Sequence, residues 1–371
     1  PEILASVEAL GDIRRVILIL MDGLALHHFQ RWMKNDTTSV WNRLARRGLL
    51  APLTSITPST TTAAITSLWT GQSPAAHGIV GYEVWLKEYG IVANMILHSP
   101  MTFREGVGSL EKAGFDPEEF MTLPTLGPHL RSHGVMPYAF QHYSIARSGL
   151  SRMFIRDTEI YPFSTPADLW ISVRELLENK PHERIYAWTY WGAVDGLSHH
   201  HCPDDERTAA EFAHFSAAFE KFFLDRIAVE AKKDTLVILT ADHGQIYTPD
   251  KDDYLLKNHQ KLNKMLHLRP SGENRLAYLF PRSGQLEAVK QYIDAAWPGK
   301  FTHFSSEQAL QSGLFGPGPE HPNLRSRLGD LIVAARDDAY LWWADKDNHL
   351  RGRHGGLHPD EMLVPFLAAR L

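Results

Sequence analysis

Residues 14–23 read RRVILILMDG, and this stretch decides the fold. Every position from Val16 to Met21 is apolar, with no polar residue to mark a wet side. A strand of that kind is covered on both faces, as in a parallel sheet. Asp22-Gly23 breaks it at its carboxyl end, where open α/β sheets gather their ligands. The same pattern recurs at 184–190 and at 235–240 (TLVILT), with further strands at 49–56 and 135–140. Helices fall between them. One spans 40–47, with Asp36 and Thr38 as cap candidates and Gly48 closing it. Others lie at 60–69 behind Pro58-Ser59, at 126–133, at 166–177 and, as one long helix, at 204–229. Strands alternating with helices predict an α/β fold, a mostly parallel central sheet with helices on both faces.

The texture changes between Gly244 and Arg353. A strand is expected at 275–281, helices at 286–296 and 305–313, then the loop GLFGPGPEHP. The resulting organisation is an α/β core made of 1–260 and 346–371, interrupted by a small α+β cap-like subdomain at 261–345.

Composition narrows the function. A chain of 371 residues can bury a sizeable core, and 44% hydrophobic with 22% charged residues excludes disordered, collagenous and coiled-coil classes. A net charge of −5 argues against a basic face, so no nucleic-acid partner is expected. No apolar run approaches the roughly 20 residues that span a bilayer, so no membrane association is expected. No signal sequence is visible, which leans towards a soluble cytoplasmic protein, but Pro1 leaves room for a removed leader and the compartment stays open. The oligomeric state is not readable. The single cysteine, Cys202, rules out an intramolecular disulfide and multi-cysteine metal sites, so a metal here must take oxygen and nitrogen donors.

Those donors cluster. Asp22, Asp195 and Asp242 each follow a predicted core strand; His199 lies four residues after Asp195, His243 follows Asp242, and RHGGLHP supplies His354 and His358. Carboxylate and imidazole together suit zinc, and also manganese or iron. Taken singly, an Asp at a strand end is more often a turn former or helix cap, and an i, i+4 Asp–His pair is equally a surface ion pair. The run Thr60-Thr61-Thr62 has two readings as well. Ser59 or Thr60 can be a plain N-cap, or a hydroxyl at a helix N-terminus can meet a phosphoryl group and act as a nucleophile once a cation lowers its pKa.

Five motifs in order settle these alternatives by resemblance: MDG at 21–23, TPSTTTAAITSLWTGQSPAAHGIVGY at 57–82, YWGAVDGLSHHHCP at 190–203, TADHG at 240–244 and HGGLHPDEMLVPF at 354–366. The chain resembles the alkaline phosphatase superfamily, most closely its nucleotide pyrophosphatase/phosphodiesterase branch. The resemblance implies that Thr61 is the nucleophile and contacts a metal, and that Asp22, Asp242 and His243 hold this first ion. Asp195, His199 and His354 would hold a second. Two divalent ions are implied, zinc foremost, with manganese or iron as alternatives. His358 is expected beside the site or exposed, His200 and His201 in a loop, and His77 in a structural turn. The implied activity is hydrolysis of a phosphodiester or pyrophosphate in a small phosphate-ester substrate through a phosphothreonine. A phosphomonoesterase or phosphotransferase of the same superfamily is the alternative, and a non-catalytic phospho-ligand binder the second. Thr62 stands where nucleotide-cleaving relatives often carry an aromatic residue, which weakens a nucleotide preference. Tyr82, Trp85, Tyr190 and Trp191 are candidates for a substrate wall or for core packing. Arg104 or Lys112 could supply the cation that a monoester dianion needs.

Overall fold

Alternate residues of the Arg15–Met21 strand point to opposite sides of its sheet, and both sides are covered. The computed structural model describes residues 5–7, 9, 11–101 and 106–371. Ile17, Ile19 and Met21 enter one core with Phe29, Trp41, Trp170 and Phe212 from the helices on that face. Leu18 and Leu20 pack on the other side with Ile65, Trp69 and Met153. The sheet has seven strands in the order Leu49–Thr54, Leu363–Arg370, Thr235–Thr240, Arg15–Met21, Ile185–Trp191, Met136–His142 and Glu159–Phe163. Four neighbouring pairs run parallel, while Leu363–Arg370 runs against both strands beside it. Leu20 stands level with Tyr190 on one side and Thr240 on the other, so Asp22 and Asp242 leave the sheet at the same height.

A second, wholly antiparallel sheet flanks the first. It carries Phe301–Ser305, Leu331–Ala335, Leu276–Leu279 and Ser271–Glu273, then continues into Glu83–Leu86, Ile91–Asn94 and Ser99–Pro100. The strands of 261–345 therefore share one sheet with residues 83–100, where no strand was expected. The buried pair Arg275–Glu361, 2.8 Å apart, ties this sheet to the returning C-terminal segment.

Three helices differ from expectation. The one foreseen at 204–229 is Glu206–Ala218 followed by a π-helical turn, Phe219–Leu224, which keeps Phe219 and Phe223 packed against Trp170. The one foreseen at 305–313 begins later, because Ser305 ends a strand and caps Ser306–Gln311 through Gln308 N. The Ser39–Arg47 helix has no side-chain cap; the Thr38 hydroxyl donates instead to the carbonyls of Trp32 and Asn35. Among the described residues, no helix is long and apolar enough to cross a membrane.

Candidate active site

The carboxyl ends of three neighbouring parallel strands deliver the acids. Asp22 follows Met21, and Asp242 lies two residues beyond Thr240. Asp195 sits in the first turn of the Ala193–His201 helix, which places His199 one turn on along the same face. His200 and His201 are thus in the last turn of that helix and not in a loop. Gly23 holds φ +74°, and a Cβ there would stand 3.0 Å from the Asp195 backbone. The two acid-bearing loops can approach this closely only over a glycine.

Thr61 is the first residue of the Thr61–Thr70 helix, whose N-terminus has no side-chain cap. Its Oγ1 lies 3.1 Å from His243 Nε2 and 3.5 Å from Asp22 Oδ1. His243 Nε2 is 3.4 Å from Asp22 Oδ1 and 3.6 Å from Asp242 Oδ2. Across the site, His199 Nε2 is 3.4 Å from Asp195 Oδ2, and His354 Nε2 is 3.9 Å from Asp195 Oδ1. The His243 and His354 rings stack at 3.7 Å.

The three histidines share one device. Nδ1 of His199 faces the Gly352 carbonyl at 2.8 Å, Nδ1 of His243 the Gly244 carbonyl at 3.0 Å, and Nδ1 of His354 the Ser59 carbonyl at 3.0 Å. A carbonyl only accepts, so each Nδ1 carries the proton and each Nε2 turns a lone pair towards the carboxylates. Burial, with His243 and His199 beside it, drives the His354 pKa well below the ordinary histidine range. Burial, with Asp242 and Asp195, lifts Asp22 well above the ordinary carboxylate range. Asp242 Oδ1 accepts from Gly23 N and His243 N, while Oδ2 is buried with no hydrogen-bond partner among the described residues. Lone pairs on imidazoles, crowded acids and an orphaned carboxylate oxygen are the donor set of a cation site. Two groups of donor atoms lie close enough to share an ion: Asp195, His199 and His354, and Asp22, Asp195 and His243. All seven residues implied by the resemblance meet here, with Asp195 reaching both groups.

Two neighbours escaped the sequence reading. The Tyr190 hydroxyl donates to Asp22 Oδ2, and Gln245 Nε2 donates to Asp195 Oδ1. Tyr190 was visible as an aromatic near a motif, but nothing in the sequence marked Gln245. Of the other aromatics, Trp191 is core, with its indole N–H on Glu211. Tyr82 accepts from Asn94 through its hydroxyl, and Trp85 packs against the second sheet's core. Thr62 turns inward and donates to the Gly81 carbonyl, so it shows no face to a ligand. His77 is buried between Ser67 and Ile79 N, a structural place as expected. His358 caps the Pro359–Met362 helix. Lys112 is exposed on the Ser109–Ala113 turn, and Arg104 lies outside the described residues.

The profile of the Type I phosphodiesterase / nucleotide pyrophosphatase family matches residues 16–357. No curated protein sequence matches the chain. Among solved structures, murine ectonucleotide pyrophosphatase/phosphodiesterase 5 is similar with a TM-score of 0.71 and 17% identity, over 95% of this chain and 87% of its own. Phosphonoacetate hydrolase from Sinorhizobium meliloti 1021 gives 0.69 and 17%, over 96% and 90%. At that identity the likeness is one of fold.

Proposed function

The chain belongs to the type I phosphodiesterase/nucleotide pyrophosphatase family, and from that premise we propose that it hydrolyses phosphodiester or pyrophosphate bonds with Thr61 as nucleophile. The observation that carries this reading is the three-histidine arrangement, every Nε2 lone pair directed at an acid, with Thr61 Oγ1 beside His243 Nε2 and Asp22. Asp22, Asp242 and His243 would hold one divalent ion, and Asp195, His199 and His354 another. Such ions, zinc by donor type with manganese or iron also suited, supply positive charge that lowers the pKa of the Thr61 hydroxyl and offsets charge on the departing oxygen. The free N–H groups at the start of the Thr61–Thr70 helix bind non-bridging phosphoryl oxygens.

Thr61 Oγ1 attacks phosphorus as the bond to the leaving oxygen breaks in line. Its proton faces Asp22 Oδ1 at 3.5 Å and passes on to solvent. The leaving oxygen takes a proton and departs as an alcohol or phosphate. Water then attacks the phosphothreonine, restores the hydroxyl and releases the second product. Tyr190 holds Asp22 in place and Gln245 holds Asp195, so both acids face the reacting atoms in fixed orientation.

Diesters are favoured over monoesters because the residues lining the cavity at Thr61 include no Lys or Arg to meet a second negative charge. Relatives of this fold take different phosphorus compounds: an inactive threonine-to-alanine form of the murine protein was captured with AMP, and the bacterial hydrolase with phosphonoacetate. The inward turn of Thr62 argues against a nucleotide here. Thr61→Ala tests the mechanism. Turnover of bis(4-nitrophenyl) phosphate should fall on the order of a thousandfold or more while bound metal stays constant. Unchanged turnover in that variant excludes Thr61 as nucleophile, and faster cleavage of 4-nitrophenyl phosphate by the unaltered protein excludes the diester preference.

A further inference from the structure

A cavity of about 60 Å³ lies beside Thr61, between the Thr61–Thr70 and Gly149–Phe154 helices and the central sheet. Its walls are apolar: Ile65 and Trp69 from the Thr61–Thr70 helix, Trp188 from the central sheet, and Leu150 and Phe154 from the Gly149–Phe154 helix. Tyr190 stands at the mouth, where its hydroxyl reaches Asp22. No Asp, Glu, Lys, Arg or His lines it. A charged group entering would leave water with no countercharge, a large cost in so apolar a space. The polar atoms present mostly satisfy each other, since Ser151 Oγ donates to Gln141 Oε1 at 3.2 Å and lies 3.0 Å from Ser148 Oγ. The exception is the indole N–H of Trp188, which is buried with no acceptor among the described residues. The size decides what fits. One water needs roughly 10–15 Å³, and a cavity of about 150 Å³ accepts benzene, so this space takes a few carbons and no nucleobase or long chain.

We propose that this cavity binds the ester group carried on the phosphorus that Thr61 attacks, and that its guest is a short, uncharged, apolar group of a few carbons. This rests on the phosphodiesterase reading above and gives that site its substrate class. The group enters beside the nucleophile, whose residue lines the cavity.

The test is a set of 4-nitrophenyl phosphodiesters differing only in the second ester group: ethyl, propyl, hexyl, carboxymethyl, 2-(trimethylammonio)ethyl and thymidin-5′-yl. The metal-loaded protein should show a kcat/KM for the ethyl or propyl ester at least tenfold above every other member. Leu150→Phe narrows the cavity and should move the optimum to a shorter group, while Ile155→Ala widens it and should move the optimum to a longer one. Opposite shifts are not produced by general loss of stability. If either variant fails to fold, Ile145→Phe and Ile145→Ala make the same pair at a half-buried lining position. A flat profile, a preference for a charged or thymidinyl ester, or an optimum that neither variant moves overturns the subsite while leaving the phosphodiesterase reading intact. No cleavage of any ester overturns both.

Discussion

His98 is wholly buried, and neither of its ring nitrogens has a hydrogen-bond partner among the described residues. Burial, with the Arg152 charge nearby, holds its pKa down at about 4. The unfolded chain takes up a proton near pH 6.5 and the folded one does not, so stability is lost as pH falls below that value. His98→Asn removes this titration, and asparagine tolerates the positive φ of 51° found there. The stability of the variant relative to the parent should improve by about 2 kcal/mol between pH 7 and pH 5, measured by urea unfolding at both pH values. A difference that does not change with pH refutes the assignment. Cys202 makes a related point about what a sequence shows. It adopts φ 107°, a conformation that suits glycine. A cysteine in the sequence gives no sign of that backbone geometry. Tyr190 and Gln245 were harder still, because their roles exist only once remote segments meet.

The elements that were legible are those whose pattern is local. The central strands announced themselves as unbroken apolar runs, and the Thr61–Thr70 helix by its glycine stop at Gly71, which takes φ 66°. Glu83–Leu86, Ile91–Asn94 and Ser99–Pro100 are short, and Glu83 finds its partner Gly272 far along the chain, so no local pattern betrays them. The join between the nucleophile loop and the His354 loop is equally non-local. Ser59 Oγ donates to the Gly356 carbonyl at 2.8 Å and accepts from Gly355 N at 3.2 Å, while its own carbonyl holds His354 Nδ1. Ser59→Ala leaves two buried backbone groups without this partner and should cost about 1–3 kcal/mol. Chemical denaturation measures it, and an unchanged midpoint would show that the two loops are held together by other contacts.

At the scale of the molecule, the candidate ligands come from positions 22, 61, 195, 199, 242, 243 and 354, so a bound ion would close loops that span nearly the whole chain. Without it, Asp22, Asp242 and Asp195 repel one another in a buried space, and Asp242 Oδ2 has nothing to bond among the described residues. An ion that binds the folded state and not the unfolded chain stabilises by mass action, about 4 kcal/mol at a thousand times its Kd. For a chain of this length that is a rise in Tm of roughly 5 °C. Zinc added to the metal-free protein should produce such a rise in a thermal melt. Because burial keeps His354 neutral well below the usual histidine range, protonation of its Nε2 should not limit zinc binding in mildly acid solution. Asp195 belongs to both groups of donors, so Asp195→Asn should lose most of the shift. Melts that zinc, manganese and iron(II) all leave unmoved, or a shift of equal size in Asp195→Asn, would remove the two-cation site. The fold would then stand without the chemistry proposed for it, since Thr61 has no other source of positive charge among the residues around it.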